Sequence, residues 1–273
     1  MIKTIVITGA SSGIGKATAQ LFHAKGWKVA ATMRNPQAEK DLKPDDRLFL
    51  CRLDVQDHAT VAQAVKDIIV HYGRIDVWLN NAGYGAYGPL EAGSDQEIRR
   101  QYDVNFFGVI DCIKAILPHF KANKSGLIVN ISSIGGLLTL PLFGLYNSSK
   151  WAIEGLSEGL WYDLQPLGIG VKVVEPGAIK TDFSGRSMDA FNLSNFPEYN
   201  QYHATITNRI NDPKMVRSFS SPDLVARVIY RACSDNSRRL RYLAGNDAKQ
   251  FWGLRRWLGA PIQMNLVKRY FKL

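Results

Sequence analysis

Tyr146 and Lys150 are the residues of this chain whose types and spacing most directly offer chemistry. On a helix, this i,i+4 spacing places both side chains on one face, one turn apart. A free tyrosine has a pKa of about 10, which is too high for efficient proton transfer at neutral pH. A neighbouring ammonium favours the phenolate and lowers that pKa. The pair therefore predicts acid/base chemistry, although the same spacing also occurs in surface Tyr/Lys pairs.

A glycine-rich segment, TGASSGIG, follows the first apolar run and precedes an amphipathic stretch. Gly9 permits a tight turn, Gly13 lets the backbone approach a pyrophosphate, and Gly15 allows close packing of helix on strand. The helix N-terminus would face phosphates with free amides and partial positive charge. The spacing is GxxxGxG, not GxGxxG, and a plain glycine-rich turn is the alternative. The predicted contact residues are Thr8, Gly9, Ser11, Ser12, Gly13, Ile14 and Gly15.

Alternating strands and helices must position these residues. Short runs rich in Ile, Val and Thr predict buried parallel strands over residues 2–8, 28–33, 48–53, 75–80, 126–132, 170–174 and 239–244. Amphipathic spacing predicts helices over about 14–25, 58–72 (capped by Asp57), 104–122, 146–167 and 222–234. Residues 181–221 are predicted to form an irregular loop that covers the substrate. This order indicates an α/β fold, a single doubly wound (Rossmann-type) domain with a mostly parallel seven-stranded sheet.

Composition and charge narrow the function classes. Apolar residues make up 46% and charged residues 21% of the 273, as in ordinary globular proteins. Three dispersed cysteines and five histidines show no disulfide or metal-ligand pattern, so we expect a cytoplasmic protein without a metal. Of the net charge of +10, residues 249–273 carry +6 and the remainder +4. No nucleic-acid-binding motif accompanies this charge, and we expect no nucleic-acid partner.

The basic, aromatic C-terminal segment is assigned separately. Residues 1–245 are predicted to form the dinucleotide-binding and catalytic domain, and residues 246–273 an extension packed on the same domain. Pro261 interrupts any long helix here, so we favour packing on the chain's own domain or at a subunit interface. Contact of the tail with a membrane surface is the alternative.

Four motifs in order resemble the short-chain dehydrogenase/reductase family over about residues 1–245. They are the glycine turn, Asn80-Asn81-Ala82-Gly83 after the fourth strand, Tyr146-Asn147-Ser148-Ser149-Lys150, and Pro176-Gly177 after the sixth strand. Their style is similar to the branch that holds hydroxysteroid and retinol dehydrogenases. The resemblance implies hydride transfer between a nicotinamide cofactor and a carbonyl or alcohol, and a homodimer or homotetramer.

The resemblance also assigns roles to residues. It implies a catalytic tetrad of Asn105, Ser133, Tyr146 and Lys150, in which Ser133 polarises the substrate carbonyl and Asn105 holds a water. Ser132 competes with Ser133, but the thirteen-residue offset to Tyr146 resembles the family pattern and selects Ser133. Lys150 would also contact the nicotinamide ribose. Further implied cofactor contacts are Asp54, Asn81, Ala82, Gly83, Pro176, Gly177, Ile179 and Thr181.

The end of the second predicted strand indicates which cofactor binds. An NAD-preferring enzyme usually has an acidic residue there, which binds the ribose diol. Here Met33 occupies that place and Arg34 follows. A guanidinium binds a 2′-phosphate, whereas a carboxylate repels it. We therefore predict NADP(H), although Arg34 as an ordinary solvated loop residue is the alternative.

The residues expected to line the substrate pocket are mainly apolar. They are Ile134, Leu138, Leu140, Phe143, Met188 and Phe191, and Arg186 is a weak candidate for an anion clamp. This lining favours an apolar ketone, aldehyde or secondary alcohol. Three other functions remain open: a non-catalytic NADP sensor, a nucleotide-sugar epimerase or dehydratase, and a membrane-recruited protein whose enzymatic role is secondary.

Overall fold

The computed structural model describes residues 2–181 and 187–273. The main strands are β1 (Thr4–Ile7), β2 (Lys28–Met33), β3 (Leu48–Arg52), β4 (Val77–Asn80), β6 (Gly126–Ile131), β7 (Ile169–Pro176) and β9 (Arg241–Ala244). They form one seven-stranded sheet in the order β3-β2-β1-β4-β6-β7-β9, and every neighbouring pair is parallel. Two short strands, β5 (Gly85–Tyr87) and β8 (Met188–Ala190), pair beside it. The predicted doubly wound α/β fold is confirmed.

The helices are α1 (Gly13–Ala24), α2 (His58–Tyr72), α3 (Asp95–Tyr102), α4 (Gly108–Ala122), α5 (Gly144–Leu164), α6 (Asn200–Ile210), α7 (Pro213–Ser218), α8 (Pro222–Ser234) and α9 (Asn246–Phe271). One apolar layer packs α1 and α8 on the sheet, with Phe22 and Ile229 fully buried. The opposite layer packs α2, α4 and α5 on the other face, with Ile116 and Ile153 in its core. Strand order reverses direction between β1 and β4, which is where open α/β sheets form their binding crevice.

Two predicted regions differ from the structure. The helix predicted over 104–122 is preceded by α3 and by a π-helical turn over Asp103–Phe107, so the helical stretch begins at Asp95. Ser94 and Glu97 form a capping box at the start of α3. This capping signal lies ahead of residue 104, where the helix was predicted to begin. The prediction of an irregular loop over 181–221 is wrong for its described part, which contains β8, α6 and α7.

The C-terminal helix α9 is kinked. Gly259 has φ 76° and ψ 170°, which separates two helical halves, so the break lies two residues before Pro261. Proline is tolerated in the first turn of a helix, and Pro261 occupies such a place in the second half. Within residues 2–181 and 187–273, no helix combines the length and apolar character needed to cross a membrane.

Candidate active site

The glycine turn lies between β1 and α1, at the carboxyl edge of the sheet. Gly9 and Gly13 have φ of 67° and 52°, values that side-chain-bearing residues rarely adopt. A Cβ at Gly13 would lie 3.4 Å from Thr181 Cγ2, so the turn and the loop after β7 approach each other here. Ser12 precedes α1 as its N-cap and makes no side-chain capping bond, so the first backbone amides of the helix are available to an anion such as a pyrophosphate.

Asn81 and Thr8 join the turn to the end of β4. The Thr8 hydroxyl accepts hydrogen bonds from the backbone amides of Asn81 (2.9 Å) and Ala82 (3.0 Å). The Asn81 side-chain amide donates to the carbonyls of Thr8 (2.8 Å) and Gly9 (3.2 Å). Thr8 is buried, and these four bonds hold the two segments in fixed register. Asn81 and Thr8 therefore hold the glycine turn in place.

The ends of β2 and β3 lie beside the turn. Met33 is buried and packs into the core, whereas Arg34 is exposed to solvent. Asp54 lies near them, because the Leu53 amide donates to the Met33 carbonyl. The Asp54 carboxylate accepts from the Gln56 amide at 3.1 Å, which fixes its loop.

Tyr146, Ser133 and Lys150 converge above the ends of β6 and β7. A Cβ built on Gly135 would lie 3.4 Å from both Ser133 Oγ and Tyr146 Cε1, and the Ser133 hydroxyl hydrogen-bonds the tyrosine. Lys150 Nζ lies 5.8 Å from the centre of the Tyr146 ring and donates to the Ile131 carbonyl at 3.0 Å. The residues predicted from spacing are therefore neighbours in space.

Burial governs the protonation of this pair. It raises the pKa of Tyr146, and the Ser133 hydrogen bond works in the opposite direction. Burial lowers the pKa of Lys150 to about 8, while the charge of Glu154 one turn away raises it. The net direction for Tyr146 is thus opposite to that expected from the lysine alone, because desolvation penalises the phenolate.

The two candidate serines point to different places. Ser133 caps a short 3-10 turn, where its hydroxyl accepts from the Gly135 amide at 3.0 Å, and it faces Tyr146. Ser132 is buried and faces Glu154. The structure therefore places Ser133, not Ser132, beside the phenol.

Asn105 lies in the π-helical turn before α4 and is buried. Its side-chain amide donates to the carbonyl of Tyr84 at 2.8 Å, and its oxygen accepts from the amide of the same residue at 3.0 Å. A Cβ on Gly83 would approach Asn105 Oδ1 at 3.1 Å and Lys150 Nζ at 3.6 Å. A side chain at this position would crowd the Asn105 amide, and the glycine leaves the space between the amide and the lysine open. The alternative of a solvated surface amide is wrong, because the side chain is buried and paired.

Pro176 ends β7, and the loop that follows carries Gly177, Ile179 and Thr181 along the same edge of the sheet. Asp247, at the start of α9, accepts from the Ala178 amide at 2.7 Å. A Cβ on Gly177 would lie 2.1 Å from Asp247 Oδ2, so a glycine is required for this contact. The tail thus begins by fixing the loop that faces the glycine turn, a role that the sequence did not reveal.

Apolar and aromatic side chains flank Tyr146. Phe143 lies 6.3 Å from its ring and 4.9 Å from that of Tyr87, and this group continues through Leu140, Met188 and Phe271. Ile134 and Leu138 form an adjoining group with Trp252 of the tail. Phe191 was expected in the lining, but its ring packs against Gly88 and Gly93 and anchors its loop there. Arg186 lies outside the described residues.

A buried ion cluster behind the site was also missed. Arg241 of β9 bonds Glu154 of α5, Glu175 of β7 at 2.6 Å, and Glu158 at 2.5 Å. Glu154 and Glu175 are buried, and burial raises the pKa of both carboxyls, that of Glu175 to about 7. The charge of Glu175 beside the apolar pair Val173-Val174 of this strand was the available signal. In the described part of the chain, no group of three or more His, Cys, Asp or Glu side chains is placed to hold a metal ion.

This arrangement matches a known family. The family model for short chain dehydrogenases matches residues 3–190, and the chain belongs to that family. It is 37% identical to an oxidoreductase of Schizosaccharomyces pombe over 82% of this chain and 92% of that protein. It is 41% identical to the 3-ketodihydrosphingosine reductase of Bacteroides thetaiotaomicron over 73% of this chain and 71% of that protein. Human retinol dehydrogenase 8 is 38% identical over 71% of this chain and 65% of that protein.

Solved structures share the fold. A short-chain dehydrogenase from Streptomyces avermitilis superposes with a TM-score of 0.83 at 33% identity, covering 98% of this chain and 95% of that one. ElxO with bound NADP has a TM-score of 0.75 at 28% identity, covering 92% of this chain and 100% of that one. A Burkholderia phymatum enzyme in complex with NAD has a TM-score of 0.78 at 26% identity, covering 93% of each chain. The chain is therefore an oxidoreductase of a family that binds nicotinamide cofactors, NADP in some members and NAD in others.

Proposed function

We propose that the protein transfers a hydride between NADP(H) and the carbonyl or secondary alcohol of a mainly apolar small molecule. The observation that carries this proposal is the convergence of Ser133, Tyr146 and Lys150 beside the crevice edge of the sheet. The bound nicotinamide supplies or accepts the hydride. Neither a sensor nor a purely structural role requires this convergence.

Each side chain then has a distinct task. In the reducing direction the Tyr146 hydroxyl donates its proton to the substrate oxygen as negative charge develops there. The Ser133 hydroxyl donates a hydrogen bond to the same oxygen. Lys150 holds positive charge near the phenol and contacts the nicotinamide ribose, and Asn105 holds a water that connects the lysine to solvent. Two observations support these roles. The Ser133 hydroxyl hydrogen-bonds Tyr146, and Asn105 and Lys150 both lie next to Gly83.

The cofactor would be held along the carboxyl edge of the sheet. Its pyrophosphate would occupy the glycine turn, from Thr8 to Gly15, and Asp54 would contact the adenine. An exposed Arg34 beside a buried Met33 favours the 2′-phosphate of NADP. The remaining contacts would come from Asn81, Ala82, Gly83, Pro176, Gly177, Ile179 and Thr181.

The substrate class rests on the apolar group around Phe143 and Leu138. Two relatives are named for 3-ketodihydrosphingosine and for retinol, and both names denote lipid-like molecules. We further propose a cytoplasmic homodimer or homotetramer. Support comes from three buried free cysteines and from the α5 face that exposes Trp151 and Tyr162.

The test is NADPH oxidation measured over a panel of apolar ketones and aldehydes, with NADH in parallel. We expect Tyr146→Phe to abolish turnover and leave NADPH binding intact, because the ring still packs while the proton donor is lost. Tyr162→Phe is the matched control, since that tyrosine is 69% exposed on the same helix. Near-normal kinetics in folded Tyr146→Phe would contradict the mechanism. Tight NADPH binding without turnover of any carbonyl would favour the sensor.

A further inference from the structure

The second half of α9 has an apolar face that the rest of the described chain covers only at one end, where Arg209 of α6 stacks on the Tyr270 ring and the Met215 sulfur of α7 accepts from the Tyr270 hydroxyl. After the kink at Gly259, Gln263 and Phe271 point into the body and are buried. On the neighbouring face Ile262, Leu266 and Tyr270 recur every fourth residue and are 47%, 40% and 42% exposed. We call these three residues the outer stripe. Trp257, just before the kink, is 82% exposed.

Positive charge surrounds this stripe. Five of the six basic residues of the tail are exposed, namely Lys249, Arg256, Lys268, Arg269 and Lys272. The sixth, Arg255, turns toward the body, where it stacks on Trp151 and bonds Gln263. Residues 249–273 contain no acidic side chain. The exposed apolar stripe therefore belongs to a segment whose charged side chains, over residues 249–273, are all cationic.

The combination of an apolar stripe with basic residues indicates which kind of partner this surface binds. A symmetric contact with a second copy would bring two such cationic surfaces together, and like charges oppose that association. Nucleic acid would match the charge, but it offers little to aliphatic Ile262 and Leu266. An anionic lipid surface matches both properties, because acyl chains accept the apolar side chains while headgroups attract the cations.

We propose that the outer stripe and its surrounding basic residues dock the protein on an anionic phospholipid surface. The second half of α9 would lie in the plane of that surface, with its inner face still packed on the protein. Trp257 would sit at the headgroup level, where its amphipathic ring is favoured.

Vesicle flotation of the full chain tests this inference. We expect the protein to float with phosphatidylcholine vesicles that contain phosphatidylserine but not with phosphatidylcholine alone, and to be released at high salt. Ile262→Asp with Leu266→Asp should abolish flotation. Val70→Asp on α2 is the matched control, because Val70 is 87% exposed and lies outside the tail. This variant should float as the wild type does.

A charge variant provides a second, independent measurement. Each basic residue near an anionic surface strengthens binding by roughly fivefold, so Lys268→Gln with Arg269→Gln should weaken it on the order of 20-fold. Flotation that is absent in wild type, or unchanged in both double variants, would overturn the proposal. A wild-type oligomer that dissociates in the aspartate variant, without vesicle binding, would assign the stripe to a second copy. None of these measurements depends on NADPH turnover.

Discussion

Arg34 is an exposed cation at the end of β2, beside a methionine that is buried in the core. A hydrogen bond to a charged group contributes about 1.5–3 kcal/mol, and solvent exposure places this one at the low end. Arg34→Ala should therefore weaken NADPH roughly tenfold and leave NADH nearly unchanged. The measurement is the ratio of kcat/KM for the two cofactors, with Arg99→Ala on α3 as the control. A wild-type preference for NADH, or an unchanged ratio, would show that Arg34 does not select the cofactor.

Lys150 and Glu154 couple turnover to pH. Burial lowers the pKa of Lys150 to about 8, so its ammonium form is lost as the pH rises through that value. If the ammonium is required, the reductive kcat/KM should fall on the alkaline side of pH 8. The Glu154 carboxylate raises the pKa of the lysine, so Glu154→Gln should move this alkaline limb to lower pH.

The control for this pH dependence is Glu158→Gln. Glu158 bonds the same arginine, Arg241, but it is not among the charges that shift the pKa of Lys150. Its removal should leave the alkaline limb in place. An identical shift in both variants would mean that the whole ion cluster, and not the Glu154 charge, acts on the lysine.

Residue identities could be predicted where chemistry fixes a spacing. The spacing of Tyr146 and Lys150 indicated a shared helical face, and the structure brings them together. Spacing along the sequence could not show that Ser132 faces a buried glutamate, because Glu154 and Arg241 meet only through tertiary packing. The direction in which the pKa of Tyr146 shifts could not be predicted from the sequence either, since it depends on the desolvation of the folded site.

At the scale of elements, the contact between the loop after β7 and the start of α9 can be tested at one glycine. The Asp247 carboxylate accepts a hydrogen bond from the Ala178 amide, and we call this contact the clamp. A Cβ on Gly177 would lie 2.1 Å from that carboxylate, so Gly177→Ala must displace the clamp. We expect a weaker affinity for NADPH, with kcat less affected. Asp247→Ala should act in the same direction.

Gly253→Ala is the matched substitution within α9. Nothing lies within 4 Å of a Cβ there, and alanine should stabilise the helix by about 0.5–1 kcal/mol. NADPH titrations and thermal unfolding measure both effects. Unchanged NADPH affinity in Gly177→Ala would show that the clamp does not serve the cofactor.

Strands and helices with strong periodicity were predicted to within a few residues, and β2 was predicted with its observed ends. Asp57 caps α2 and Ser221 caps α8, next to the predicted first residue Pro222. The short elements α6 and α7 were missed because they contain few apolar residues and their packing is long-range. Phe271 of the tail, for example, contributes to the same apolar group as Ile206 of α6.

At the scale of the whole molecule, the tail joins the loop after β7 to the apolar group near Tyr146. Its first turn carries Asp247, and its last turn buries Phe271 beside Leu142. A chain ending after Gly253 keeps the first contact and loses the second. Burying such an aromatic side chain stabilises a protein by about 1.5–3 kcal/mol, so the truncated chain should melt at a lower temperature.

The truncation should also separate substrate binding from cofactor binding. Without Phe271 and Val267, the group that includes Phe143 loses its support, and we expect KM for apolar carbonyls to rise. NADPH affinity should stay near that of the full chain, because Asp247 remains. The variant with Ile262→Asp and Leu266→Asp alters the exposed face alone, so its melting temperature and KM should match wild type. A truncated chain that loses NADPH affinity as much as it loses substrate affinity would mean that the tail supports the domain as a whole, not the substrate side of the site.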